Sequence, residues 1–332
     1  MIRDAVHDGE AAPARGPAEA AVGAGNTPMC DEERSIRLRR MAAAGSMGLA
    51  GTLVVAKLFA ALATDSVAVL STLLDSAADL AASVITVLCV SQSVRPPSRT
   101  FRYGRGKAEP LSALGQAAFI GGSGLFIVVE AVIRLNEPQP LDATHVGIAV
   151  MVLALVLTGA LVAFQRRVVR LTGSPAIEAD SMNYLGDLVT GTSVLLTLVA
   201  VNATGVLWLD PLVGLAVAGY LLRNAVGIGR GAVAMLLDRE LPREDRSHIK
   251  GIVLSHDDVK GMHDLRTRSA GTHVFIELHL EIDGTLSLNT AHGIADRVEA
   301  ALREAFPLAE IIIHQEPAGL NDERLDDRLV RR

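Results

Sequence analysis

Six long apolar runs limit what this chain can fold into. They cover residues 41–64, 67–90, 111–135, 146–164, 176–201 and 208–237. Each is near or above the ~20 residues a helix needs to cross the hydrocarbon core of a bilayer. With 332 residues, 50% of them hydrophobic, and a mean hydropathy of +0.35, the chain carries more apolar side chain than a soluble core of that length takes up. The expected architecture is therefore an all-α, six-helix transmembrane domain. Almost no loop separates the first two runs, so they form a tight hairpin.

Basic residues orient the runs. Arg34, Arg37, Arg39 and Arg40 precede the first run, Arg95, Arg99, Arg102, Arg105 and Lys107 lie between the second and third, and Arg166, Arg167 and Arg170 between the fourth and fifth. The alternate loops, near Asp65 and over 136–144 and 202–205, hold none. Short basic loops stay cytoplasmic, which puts both termini in the cytoplasm. The net charge of −6 averages these clusters with acids near both ends, a profile that does not suit a nucleic-acid binder. Residues 1–33, rich in Ala, Gly, Pro and acids, read as a disordered tail without the pattern of a cleaved signal peptide. Cys30 and Cys89 share no metal-type spacing, and Cys89 reads as a small core residue.

The texture changes at about Leu241 to that of a soluble domain. A short helix over 242–254 leads into a strand over 262–269, a turn at 270–272 and an alternating strand, Val274, Ile276, Leu278, Leu280 and Ile282. His273, Glu277, His279 and Glu281 occupy that strand's other face. A helix over 290–306 and a strand over 311–316 complete an αββαβ order, a two-layer α+β domain. The expected division is a tail to residue 33, membrane domain 34–238, cytoplasmic domain 239–317 and a flexible tail 318–332.

Acids inside the apolar runs carry the chemistry. Asp75 and Asp79, four residues apart, share one helix face, and each ionised Asp at mid-membrane costs roughly 2.5–3.5 kcal/mol on insertion scales. In the fifth run Asp180, Asn183 and Asp187 also share a face. Two helices can thus turn oxygen ligands, suited to divalent cations, into one cavity, and acids held close together also take up protons when the cation leaves. The plainer reading is that these groups only join helices by hydrogen bonds. Lys57 and Arg223 are isolated charges that snorkel or pair with a neighbouring helix. Ser66, Ser71, Thr72 and Thr190 either line a path or satisfy helix backbone. Seven of the nine histidines follow residue 240, and His314 and Glu316, two apart on a strand, face the same way. No nucleophile–base pair or phosphate loop points to an enzyme, since Gly104–Gly106 lacks a strand-to-helix frame.

The segments 70–83 (LSTLLDSAADLAAS), 101–109 (FRYGRGKAE), 178–187 (EADSMNYLGD), 236–242 (LLDRELP), 263–268 (HDLRTR) and 311–317 (IIIHQEP) resemble the cation diffusion facilitator family, with the bacterial ferrous-iron/zinc efflux pumps as the nearest branch. The resemblance implies a homodimer in the inner membrane, a secondary active transporter that exports divalent transition metals (the Zn, Fe, Mn and Cd class) in exchange for protons. It implies no fixed cofactor, metal serving as substrate and as regulatory ligand. It assigns the transport site to Asp75, Asp79, Asn183 and Asp187, with Asn183 standing where that branch usually has His. An amide oxygen neither titrates nor matches imidazole for Zn²⁺, so a tilt toward Mn²⁺ or Fe²⁺ and fewer protons per cation are expected. Asp180 is a candidate substitute acid or a residue lining the helix end. The family's accessory loop site falls on Ser98, Phe101 and Arg105, which offer no ligand set. The resemblance places a regulatory metal on His263, His279, His292, His314 and Glu316, with Gln315 beside them, and a structural ion pair between Lys107 and Asp238. His248, His256 and His273 match no ligand position. The altered site also admits a transport-poor relative acting as a membrane metal sensor or scaffold.

Overall fold

The computed structural model describes residues 28–64, 67–136, 145–206, 208–320 and 324–325; within the helices it leaves the side chains of 28–31, 60–72, 74, 75, 145–150, 198 and 202 undescribed. Six long helices come first: α1 (Pro28–Thr64), α2 (Val67–Ser93), α3 (Ala108–Asn136), α4 (His145–Thr172), α5 (Pro175–Thr204) and α6 (Leu209–Leu236). Each contains a stretch long and apolar enough to cross a membrane. Helix α3 packs most extensively on α6, α1 on α2, and α4 on α5.

The helices overrun the apolar runs at their basic ends. Residues 28–33, expected in the tail, form the first turns of α1, and Arg166, Arg167 and Arg170, expected in a loop, belong to α4. Hydropathy marks where lipid contact ends, whereas backbone hydrogen bonding continues to the next stop signal. For α4 that signal is Gly173 at φ 62°. Helix α5 then starts on Ser174, whose Oγ accepts from the backbone N–H of Ile177, with Pro175 in the first helical position, both favoured there.

The remaining elements are α7 (Arg243–Leu254), β1 (Gly261–Ala270), β2 (His273–Ile282), α8 (Leu288–Ala305) and β3 (Ala309–Pro317). The sheet order is β1-β2-β3, antiparallel between β1 and β2 and parallel between β2 and β3. Helix α8 makes the crossover that a parallel pair requires. Ile276, Leu278, Leu280 and Ile282 of β2, with Ile311 of β3, pack against Ile249 and Val253 of α7 and Ile294, Val298 and Leu302 of α8. The alternation in β2 therefore buries its apolar face under both helices and leaves His279 and Glu281 on the other face.

The α2–α3 loop and the β1–β2 turn hold the two parts together. A Cβ on Gly106 would lie 2.1 Å from the Ala270 carbonyl oxygen, and one on Gly271, at φ 65°, would lie 2.8 Å from the Gly106 oxygen. Only glycines allow this backbone approach. Around it, Tyr103 meets Phe275 edge-on at 5.7 Å, and the Arg268 guanidinium lies 4.3 Å from the centre of the Phe275 ring.

The expected flexible tail is anchored where it is described. Arg324 pairs with Glu281 at 2.8 Å, and the Leu325 backbone N–H donates to Asp264 Oδ2 at 2.9 Å.

Candidate functional site: acids between the helices and a histidine row on the sheet

Helices α2 and α5 bring Asp79 and Asn183 together. The Asn183 Nδ2–H donates to Asp79 Oδ1 at 3.3 Å, with both side chains at least partly shielded. Asp187 follows one helical turn later on the same face of α5 and is exposed. The Asp75 side chain, and those of Ser66, Ser71 and Thr72, lie outside the described residues. Tyr184, fully buried beside Asn183, shares a 2.8 Å hydrogen bond with Ser83 of α2 and donates to the Ser46 carbonyl of α1 at 3.0 Å, fixing three helices around the acids. Lys57 of α1 donates to Ser76 of α2 at 2.7 Å, so it pairs with a neighbouring helix. Thr190 donates to the Gly186 carbonyl at 2.9 Å and also lines a cavity of about 160 Å³ with Ser193, Thr197, Glu130, Arg134 and Asp210.

A buried ion pair outside the expected site residues lies at the other end of these helices. Arg39 of α1 meets Glu109 of α3 at 2.6 Å, with side chains 5% and 0% exposed. Glu109 also accepts from Ser93 Oγ of α2 at 2.9 Å and from Ser174 Oγ, the cap of α5, at 2.5 Å. Arg39 reaches on to Thr272 in the β1–β2 turn at 3.3 Å. One carboxylate thus gathers four helices, and its partner touches the sheet domain. The available signal was an acid at the mouth of an apolar run, with an arginine at the mouth of another.

Lys107 and Asp238 meet as expected, at 2.9 Å and with side chains 37% and 44% exposed. Asp238 takes φ 56°, and Arg268 of β1 approaches it at 3.5 Å. Burial alone pushes the Asp238 carboxyl up, but hydrogen bonding and charge from Lys107, aided by Arg268, outweigh it and hold the group below the usual carboxylate range. Ser98 Oγ accepts from the Phe101 N–H at 3.2 Å and Arg105 covers the Phe101 ring at 4.4 Å, so these three residues are occupied in folding the loop.

On the open face of the sheet, register places His263, His279 and His314 side by side across β1, β2 and β3. The ring centres are 5.0 Å apart for the first pair and 4.8 Å for the second. A bulge after His263, with Asp264 at φ 49°, bends β1 at this point, as bulges beside functional sites do. Glu316 lies among the rings: its carboxylate is 3.2 Å from His263 Nε2, 2.6 Å from His279 Nδ1 and 3.4 Å from His314 Nε2. Glu281 accepts at 2.8 Å from the opposite nitrogen of His263, Nδ1. Ligand atoms of His263, His279 and Glu316 lie within 4.8 Å of one another. Two imidazoles and a carboxylate suit a borderline transition metal, and Glu281 supplies the outer partner that fixes the tautomer of a ligating histidine. His314, 65% exposed, stands at the rim of this group.

His292 is the exception in the expected set. It lies on α8 and pairs with Asp296 at 3.6 Å on an exposed face. Ala291, Ile294, Ala295, Val298 and Leu302 face the sheet, so a residue at position 292 must point away from the core. The histidine row lies on the sheet's other face. The subunit's own fold therefore does not bring His292 to the group.

The family described as the cation efflux transmembrane domain matches residues 45–237, and that described as the cation efflux protein cytoplasmic domain matches residues 241–318. The chain belongs to the cation efflux family. Among curated family members, the cation-efflux pump FieF of Shewanella oneidensis is 43% identical over 278 residues, 84% of this chain and 94% of that protein. FieF of Pectobacterium atrosepticum is 43% identical over 294 residues, 89% and 98% of the two chains. Of solved structures, CzrB in its zinc form is 35% identical over 26% of this chain and 99% of its own, at a TM-score of 0.25. The metal-bound C-terminal domain of the CzcD transporter from Thermotoga maritima is 27% identical over 25% and 100%, at a TM-score of 0.23. Like its relatives, this member of the cation efflux family is a membrane transporter and not an enzyme.

Proposed function

We propose that this chain is a proton-coupled antiporter that exports divalent transition-metal cations of the Zn, Fe, Mn and Cd class from the cytoplasm. It works as a homodimer in the inner membrane with both termini cytoplasmic. The membrane part spans residues 34–238 and the metal-binding domain 239–317. The observation that carries this reading is the Asn183–Asp79 contact across α2 and α5, which closes the polar faces of two otherwise apolar helices on each other. Asp75, Asp79, Asn183 and Asp187 are the cation's ligands. The Asn183 amide donates N–H to Asp79 as it stands. Turned about its last torsion it offers Oδ1 to a cation instead. Carboxylates that lose the cation take protons, which balances the charge returned to the cytoplasm. Amide in place of imidazole favours harder ions, so Mn²⁺ and Fe²⁺ rank above Zn²⁺.

His263, His279 and Glu316, with His314 at the rim, hold the regulatory metal. A bound metal supplies a positive charge that draws these side chains together, and Glu281 keeps His263 oriented toward it. Affinity that differs between two arrangements of the cytoplasmic domains shifts the population toward the one that binds metal better. The Lys107–Asp238 pair is structural.

The test is metal selectivity of the purified protein reconstituted in vesicles, beside Asn183→His and Asp79→Ala. Asn183→His should shift preference toward Zn²⁺; unchanged selectivity removes Asn183 from the ligand set. Asp79→Ala should abolish metal tolerance in cells. A sensor or scaffold would keep it.

A further inference from the structure

Among the described residues, Asp180 is a buried acid of the membrane helices that neither the cation site nor the Arg39 ion pair uses. It lies on the same face of α5 as Asn183, three residues earlier, and has 0% exposure. Its Oδ1 accepts from Gln116 Nε2 of α3 at 3.0 Å and its Oδ2 from Gln165 Nε2 of α4 at 2.7 Å. Both glutamines are buried, and the Oε1 atom of each is buried with no hydrogen-bond partner. Ser46 of α1 and Thr86 of α2 also face the carboxylate, and Asp79 of α2 is the acid whose charge it feels. Tyr184 on its own helix is the other titratable group beside it. Among the described residues, the side chains that face Asp180 are neutral apart from Asp79.

A fully enclosed carboxylate has no room for a hydrated cation, but a proton needs none. The Gln165 amide is suited to both protonation states, whereas the Gln116 Nε2–H groups are also held by the Ala82 carbonyl at 3.2 Å and Thr86 Oγ1 at 2.9 Å. Ionised, Asp180 accepts two amide N–H groups. Protonated, it must donate, and a half-turn of the Gln165 amide presents Oε1, the atom now without a partner. A carboxylate serving only to join helices has no use for two idle acceptors, which are costly to leave buried and unsatisfied.

We propose that Asp180, with Gln116 and Gln165, is a proton-carrying site separate from the cation's ligands. It supplies the titrating group that Asn183 lacks. This rests on the proton-exchange reading above. Three residues along a helix is about 4.5 Å of rise, so a cation held by Asp79 and Asn183 favours the ionised form of Asp180 by direct attraction. Cation uptake and proton release are thereby linked. The proton leaves Asp180 Oδ as the cation binds and returns when the cation departs.

The experiment reconstitutes the full-length protein in vesicles and follows Mn²⁺ flux and luminal pH together. In Asp180→Asn the protons moved per cation should fall by about one, the load of a single carboxyl, and Asp180→Glu should restore the ratio. An unchanged ratio in Asp180→Asn overturns the proposal. Wild-type protein that moves Mn²⁺ without protons overturns the exchange reading itself, and this site with it. Where Asp180→Asn does not fold, Gln165→Leu keeps the acid and removes one amide. It should shift the pH midpoint of coupled proton release, and an unshifted midpoint overturns the assignment.

Discussion

Replacing Glu109 with Ala should destabilise the protein far more than any change at the better exposed Lys107–Asp238 pair. Glu109 is the shared acceptor for Arg39, Ser93 and Ser174, and its removal leaves the Arg39 guanidinium, 5% exposed, without a counter-charge. The Arg39 Nε–H already lacks a partner. Breaking a buried pair by deleting one member costs about 3–5 kcal/mol, because the other charge stays buried and uncompensated. Asp238 and Lys107 are solvated at 44% and 37% exposure, and exposed pairs contribute at most about 1 kcal/mol. At about 2–4 °C per kcal/mol for larger domains, Glu109→Ala should lower the melting midpoint by roughly 10 °C and Asp238→Asn by no more than about 4 °C. Thermal unfolding of detergent-solubilised protein, read by circular dichroism and by loss of the monodisperse peak, gives both values. The double variant Arg39→Met, Glu109→Leu should recover much of the loss, since apolar replacement of a whole buried pair is often neutral. Equal destabilisation by Glu109→Ala and Asp238→Asn would refute this ranking.

The other predictions concern the sheet domain and its contact with the helices. Gly106→Ala places a Cβ 2.1 Å from the Ala270 oxygen and must separate the α2–α3 loop from the β1–β2 turn; hydrogen exchange in both segments should speed up while the sheet core stays protected. Glu281→Gln weakens the hold on His263 Nδ1, and calorimetric Zn²⁺ affinity of the full chain should fall about 10–100-fold, as for other outer-sphere partners of metal ligands. The depressed pKa of Asp238 has a definite sign: its contribution is complete above the unfolded-state value of about 3.9 and is lost as pH falls through the lower folded-state value. The stability difference between wild type and Asp238→Asn should thus be flat from neutral pH down to about 4 and vanish below it.

Much of this architecture is legible in the sequence because its signals are periodic. Helix count follows from hydropathy, and the alternation from Val274 to Ile282 fixes which face of β2 carries His279. What escaped are pairings across long separations. Nothing local links Arg39 to Glu109, or Arg324 to Glu281, because opposite charges far apart in sequence meet only once the helices and sheet have packed. No spacing in the sequence joins Gln116 and Gln165, whose amides converge on Asp180 only once α3, α4 and α5 have packed. His292 differs by its placement within the subunit. Its residue type suited the histidine group, but the apolar stripe of α8 turns that position away from the sheet's open face. Strand register places Glu316 beside the histidines: once β2 and β3 pair in parallel, Glu281 faces Glu316 and His279 faces His314.

The central claim is that one cation crosses through the Asp79–Asn183 site in exchange for protons. Its most direct test is simultaneous recording of Mn²⁺ entry and luminal pH in vesicles carrying the wild-type protein or Asp79→Ala. An outward proton movement should accompany Mn²⁺ entry in the wild type, grow with an opposing pH gradient, and disappear together with Mn²⁺ flux in Asp79→Ala. Mn²⁺ flux that persists in Asp79→Ala, or that runs in the wild type without response to the pH gradient, would contradict it.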